Sequence, residues 1–374
     1  MFRFLEWVII GSCVVAISLH SSDDCDAQEL VRTFSTGNCV AGFFLAVSDA
    51  EQLLAWVSRD QSIRICSIDS GAEIAHKKLL GGFPPAISFV SGKPERLAYL
   101  ERDRLILWDF DRGNTRTVDL SDPESRGPFN AFALSPTASD VATINGTRGA
   151  KTEIQVRSVD RGTQLMKQKI GGWPLQLVFT GNSGLFVAVR RYDRRSQSFV
   201  VYVDRWNVES GQRKEWGPFP LTGTRSRGGG INEMGKVRLS GDGRFLATTL
   251  GQRVLIIDVV TGRQVNIAVH STGMRRNANG HIPGFFGSGT SGTMIYSLEF
   301  DPDGYVLATG ALGSPVIRFA PIAGRDSPEE LNQPEMESVI GLHFSRSGKL
   351  LVASGLDQLP PNPGKGMLHV WRLP

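Results

Sequence analysis

The chain has 374 residues, of which 41% are hydrophobic and 21% charged, and a formal net charge of +4. This composition excludes a disordered or collagen-like chain, and the 42 glycines and 19 prolines form no low-complexity run. Spread evenly, they suit many short strands joined by turns.

At the N-terminus Arg3 precedes an apolar run, VIIGSCVVAISL, over residues 8–19. As a helix this run would span about 18 Å, against a hydrocarbon core of roughly 30 Å. A polar stretch, HSSDDCDAQE, follows. A basic start, a short apolar core and a small residue near Ala27 fit a secretory signal. Residues 1–27 are therefore expected to be a signal peptide, with an uncleaved N-terminal anchor as the alternative. Residues 28–374 would then be one domain, exported to a periplasm, the extracellular space or the cell envelope. No later apolar run is long enough for a transmembrane helix, so none is expected in the mature chain.

Cleavage would remove Cys13 and Cys25 and leave Cys39 and Cys66. In an oxidising compartment these two either pair or serve as two small buried hydrophobes. Cleavage also removes Arg3 together with Glu6, Asp23, Asp24 and Asp26, which leaves the mature chain more basic than the full one.

From Phe44 onward one unit recurs seven times: an apolar alternation, a polar turn, then a second apolar strand. The copies are FLAVSDAEQLLAWV, AISFVSGKPERLAYL, FALSPTASDVATI, LQLVFTGNSGLFVAV, VRLSGDGRFLATTL, LEFDPDGYVLATG and LHFSRSGKLLVAS. The apolar residue before each turn is Val47, Phe89, Leu134, Phe179, Leu239, Phe300 or Phe344. Successive spacings are 42–45 residues, apart from two of 60 and 61, which imply insertions. A third strand follows, and in five units it ends in a turn bearing Gly71, Gly113, Gly162, Gly211 or Gly262, where positive φ is needed. KKLLGGFPPAISF and KQKIGGWPLQLVF also match without gaps, which makes Phe83 and Trp173 repeat features. The last unit ends after its third strand, MLHVWRLP, and the unassigned ELVRTF over 29–34 can supply the fourth. The expected fold is all-β: a seven-bladed β-propeller of four-stranded antiparallel blades, closed by that N-terminal strand. The fourth strand of blade six is expected somewhere after Gly324, in a proline- and acid-rich stretch.

Trp108-Asp109 ends a third strand, Trp206-Asn207 and Trp371 hold equivalent places, and Asp242-Gly243 and Asp303-Gly304 form turns. In these residues the chain resembles a divergent WD-repeat (WD40-like or YVTN-like) β-propeller. It departs from that pattern at Cys66 and Arg157, which stand near tryptophan positions, and no glycine-histidine dipeptide opens the blades. The resemblance implies a protein-interaction scaffold and covers residues 29–374.

Function on such a scaffold lies in what is added to the blades. Additions are expected at 145–153, 190–198, 213–230, 265–294 and 355–366, in connections that open on one face. They gather basic residues: Arg190, Arg191, Arg194, Arg195, Arg225, Arg227, Arg275 and Arg276 are the candidate contacts. Tyr192 and Trp216 join them as aromatic anchors, and Phe219, Phe285 and Phe286 lie in the same stretches. Arginine-rich loops suit carboxylate or phosphate recognition. In an exported monomer the partner is expected to be a protein, an acidic polysaccharide or a lipid head group rather than nucleic acid.

Chemistry is less well supported. His270 and His281 share one loop without a metal motif, His343 lies alone on an innermost strand, and Gly228-Gly229-Gly230 and GFFGSGTSGT lack a phosphate-loop setting. No catalytic residue, metal or cofactor is expected. The alternative is a propeller enzyme, such as a lactonase-like hydrolase, acting at the central channel.

Overall fold

The computed structural model describes residues 28–374 except 38–43, 59, 81–83, 85, 122–128, 146–151, 182, 196–197, 221–235, 251–252, 270–294, 312, 323–328, 334 and 358–364. The proposed signal at 1–27 and Cys39 therefore lie outside the described residues.

The chain opens with β1 (Glu29–Gly37). Blade one is β2 (Leu45–Val47), β3 (Leu53–Val57), β4 (Ser62–Ser67) and β5 (Glu73–Lys78). Blade two is β6 (Ile87–Val90), β7 (Lys93–Glu101), β8 (Arg104–Asp109) and β9 (Asn114–Asp119). Blade three is β10 (Phe129–Leu134), β11 (Asp140–Asn145), β12 (Thr152–Ser158) and β13 (Gln164–Ile170). Blade four is β14 (Trp173–Thr180), β15 (Gly184–Asp193), β16 (Ser198–Asn207) and β17 (Arg213–Pro220). Blade five is β18 (Val237–Leu239), β19 (Phe245–Leu250), β20 (Arg253–Asp258) and β21 (Gln264–Val269). Blade six is β22 (Ile295–Phe300), β23 (Val306–Ala311), β24 (Val316–Pro321) and β25 (Glu329–Asn332). Blade seven is β26 (Ser338–Phe344), β27 (Leu350–Leu356) and β28 (Gly366–Arg372), and β1 pairs antiparallel with β28 as its outer strand. The protein is a seven-bladed, all-β propeller, and its N-terminal strand closes the last blade.

Register confirms the repeat. On the third strands Cys66, Trp108, Arg157, Trp206, Ile257, Ala320 and Trp371 occupy one equivalent position. Each faces Leu54, Leu97, Val141, Leu185, Leu246, Leu307 or Leu351 on the second strand. The core is divided in the same way. Seven apolar clusters fill the spaces between successive blades, the seventh joining blade seven to blade one through Phe34, Trp56 and Cys66. No blade buries both faces alone, so the closed ring is the stable unit.

Local devices explain the turns. The glycines at the third turn have φ of 67–73°, as the sequence requires. At Gly71 a Cβ would also lie 2.9 Å from the Arg32 guanidinium. In the first turn of five blades, Ser48, Ser135, Ser240, Asp301 or Ser345 accepts a hydrogen bond from the backbone N–H five residues on. Between blades, a polar outer-strand residue reaches the next blade. Arg32 donates to the carbonyls of Ile68 (2.6 Å) and Asp69, Arg116 to those of Val159 (3.0 Å) and Asp160 (2.7 Å), and Asn266 to that of Pro321 (2.6 Å).

All five expected insertions are shorter than read, because strands take their end positions, and three of them lose several residues. Residues 190–193 belong to β15, so the first connection spans only 194–197. Residues 213–220 form β17, the fourth strand of blade four, because the alternating RKEWGPFP pairs with β16. Likewise β21 extends to Val269. The fourth strand of blade six lies at β25, inside the proline- and acid-rich stretch.

Candidate functional site

Successive antiparallel strands place second-to-third and blade-to-blade connections on one face of the ring. All five expected additions leave and re-enter the sheets there. Blade four stands out on this face. Its third strand, β16, has ten residues, against six or seven for the third strands of the other blades. The excess extends the β15–β16 hairpin by roughly 10 Å.

The candidate arginines on this hairpin divide into two kinds. Arg190 is buried, with its guanidinium 5.3 Å from the Trp173 ring and 4.8 Å from the Phe199 ring. It packs the hairpin base by cation–π contact. Arg191 lies over Tyr202 (4.3 Å), donates to the Gly171 carbonyl (2.7 Å) and pairs with Glu215 (2.8 Å) and Asp204 (3.7 Å). Arg213 completes this network, bonding Asp204 at 2.8 Å and pairing with Glu215. Burial pushes the Asp204 carboxyl above its ordinary range, and the two guanidiniums oppose that rise. Arg194 and Arg195 are exposed in the turn, where the Asp193 carboxylate accepts from the Arg195 N–H (3.0 Å). Tyr192 is 43% exposed and meets Phe199 edge-on at 5.4 Å. The structure thus brings Tyr192, Arg194 and Arg195 together at a projecting tip and ties Arg190 and Arg191 into the blade.

Trp216 lies elsewhere. It stacks on Phe186 at 6.2 Å, has the Lys214 ammonium 4.9 Å from its ring centroid, and lines a peripheral cleft of about 430 Å³ between β17 and blade five. Phe219 is buried in that interface. Arg225, Arg227, Arg275, Arg276, Phe285 and Phe286 lie outside the described residues, as do His270, His281 and Phe83. Cys66 is a free, buried thiol, pushed by burial up to about 11.

A second constellation lies on the innermost strands, one residue before each repeat anchor. Blades one to four carry Ala46, Ser88, Ala133 and Val178 there, and blades five to seven carry Arg238, Glu299 and His343. Arg238 donates from Nε to Glu299 Oε2 at 2.6 Å, and His343 Nδ1 stands 4.0 Å from Glu299 Oε1. Two residues before Arg238, the Lys236 ammonium sits 5.1 Å from the Tyr296 ring centroid. Burial lowers the Lys236 pKa, and Arg238 adds to this. Burial likewise lowers that of His343, with Glu299 opposing and Arg238 reinforcing. Sequence reading singled out His343 but missed Lys236, Arg238 and Glu299. The signal was present in the column beside the anchors, where four small or neutral residues give way to three ionisable ones. Among the described residues, no three His, Cys, Asp or Glu side chains gather as a metal site would require.

No model of a known protein family matches the chain, and no curated protein matches it.

Proposed function

We propose that this propeller is an exported, non-catalytic binding scaffold of divergent WD-repeat type. On this reading it works as a monomer and holds an acidic partner against its insertion-bearing face. The partner is a protein, an acidic polysaccharide or a lipid head group. The observation that carries the reading is the overlong β15–β16 hairpin of blade four, with Tyr192, Arg194 and Arg195 exposed at its tip. A two-stranded projection with an exposed aromatic and two guanidiniums is poorly accounted for by ring stability, and it suits recognition of carboxylates or phosphates. To Arg225, Arg227, Arg275 and Arg276, read from the sequence alone, we assign the same role. The signal-like pattern over 1–27 supports export.

The test is capture from the exporting compartment, together with binding to a polyuronate and to vesicles of anionic phospholipid, each at low and high salt. Replacing Arg194 and Arg195 by glutamine should weaken binding about threefold to tenfold and flatten its salt dependence. Equal affinity and an equal salt slope in that variant would overturn the assignment. The alternative, a channel enzyme, rests on one specific observation, the ionisable cluster Arg238, Glu299 and His343 of blades five to seven.

A further inference from the structure

In a regular strand, residues three apart point to opposite faces of the sheet. On β17 a register shift between Val201 and Val203 changes this, because Gly217 and Pro218 are inserted opposite a single residue. Trp216 and Phe219 therefore both turn towards blade five, where they join one apolar cluster. Phe219 is buried in it, whereas Trp216 is half-buried and lines the peripheral cleft of about 430 Å³ together with Leu255 and Val259. Apolar surface continues outwards from this floor. Val260 lines the cleft and is 63% exposed. Asn266 reaches the Pro321 carbonyl of blade six, so its neighbour Ile267 faces blade four, beside its register partner Leu255, and is 38% exposed. Apolar side chains left in water beside a cleft are covered when a partner docks there.

The rim of the cleft is cationic. The Lys214 ammonium stands 4.9 Å from the Trp216 ring centroid, and the Arg205 guanidinium 5.7 Å from that of Phe186, on which Trp216 stacks. Arg263 lies between two lining residues, Gly262 and Gln264. All three cations are exposed, and none forms an ion pair among the described residues. The carboxylate in the lining, Glu215, is already neutralised by Arg191 at 2.8 Å and by Arg213. The geometry points to a docking site for a linear acidic peptide segment of a partner protein. Its apolar side chain seats against Trp216 and Val260, and its carboxylates meet Lys214, Arg205 and Arg263. A small-molecule site would bury most of its ligand, whereas this cleft is open to solvent. A second copy fits less well, since it would bring a chain of net charge +4 against a basic rim. The site does not depend on the hairpin tip of blade four.

The experiment is selection of a random dodecapeptide library on the whole protein, followed by fluorescence anisotropy of the most enriched peptide. Enriched peptides should set aspartate or glutamate around a leucine or an aromatic residue. Val260→Glu, which alters an exposed side chain, should weaken binding by about tenfold or more. Replacing Lys214 and Arg263 together by glutamine should weaken it by about tenfold and flatten its salt dependence. The Arg194/Arg195 variant should bind the peptide as the unaltered protein does, whether or not the tip has the role proposed above. Thermal melts establish that each variant is folded. A library that yields no binder, or binders without acidic enrichment, would overturn the proposal. So would equal affinity in Val260→Glu. Peptide binding lost in the Arg194/Arg195 variant and kept in Val260→Glu would move the peptide to the hairpin tip and would also overturn it. A dimer in sedimentation that Val260→Glu disperses would assign the cleft to a second copy, with the same consequence.

Discussion

At the scale of single residues, burial governs the chemistry of two side chains outside the proposed sites. His369 is fully buried, and its Nδ1 meets Gln333 Oε1 at 2.7 Å, which also accepts from Trp371 Nε1 at 2.9 Å. Since Gln333 Oε1 only accepts, Nδ1 carries the imidazole proton. Burial lowers the His369 pKa more than the nearby Glu335 raises it. The unfolded chain therefore takes up the proton first as pH falls. Stability from neutral His369 is complete above the ordinary histidine value of about 6.5 and is lost as pH drops below it towards the folded pKa. Thermal melts from about pH 8 to pH 5 should show a smaller decline in His369→Gln than in the unaltered protein. His343, shifted the same way, contributes to the slope that remains. The Cys66 thiol, raised to about 11, stays protonated near neutrality. After alkylation of the native protein by iodoacetamide, mass spectrometry should find the Cys66 peptide unmodified, with full labelling only in denaturant. Rapid native labelling would contradict the burial described.

At the scale of elements, β1 has the largest consequence for its length. It covers the outer edge of blade seven and sends Arg32 to the third turn of blade one. Phe34 is buried against Trp56 of blade one, with ring centroids 5.7 Å apart. Phe34→Ala should cost about 3 kcal/mol, read from the midpoint of denaturant unfolding. A cost below ~1 kcal/mol would mean that the closing strand contributes little to the ring. The sequence disclosed this strand through arithmetic alone, since the last unit lacked a fourth strand and residues 29–34 belonged to no other. The turn glycines were legible for a related reason: positive φ narrows the choice of residue at Gly71 and its counterparts. Strand ends in blade four were not legible. RKEWGPFP and RRYD contain charges and, in the first, prolines that suit loops, and pairing with β16 makes them strand.

At the scale of the whole molecule, the ring turns a linear repeat into two distinct places, a rim and a channel. The rim collects the connections of one face and offers Tyr192, Arg194 and Arg195. Around the axis, the innermost strands of blades five to seven bring Arg238, Glu299 and His343 together. Among the described residues, no helix is long and apolar enough to cross a membrane. By itself the sequence determined the all-β repeat, the number of blades and the closing strand, because alternation, turn glycines and spacing are local properties of the chain. Only the tertiary structure decided which arginines face solvent and which charges meet. Arg190 and Arg194 look alike in sequence, yet one lies between two rings and the other at an exposed tip. Arg238 and Glu299 are far apart along the chain and meet because adjacent blades bring their innermost strands together. Burial and distance arise from closure of the ring, which no single repeat encodes.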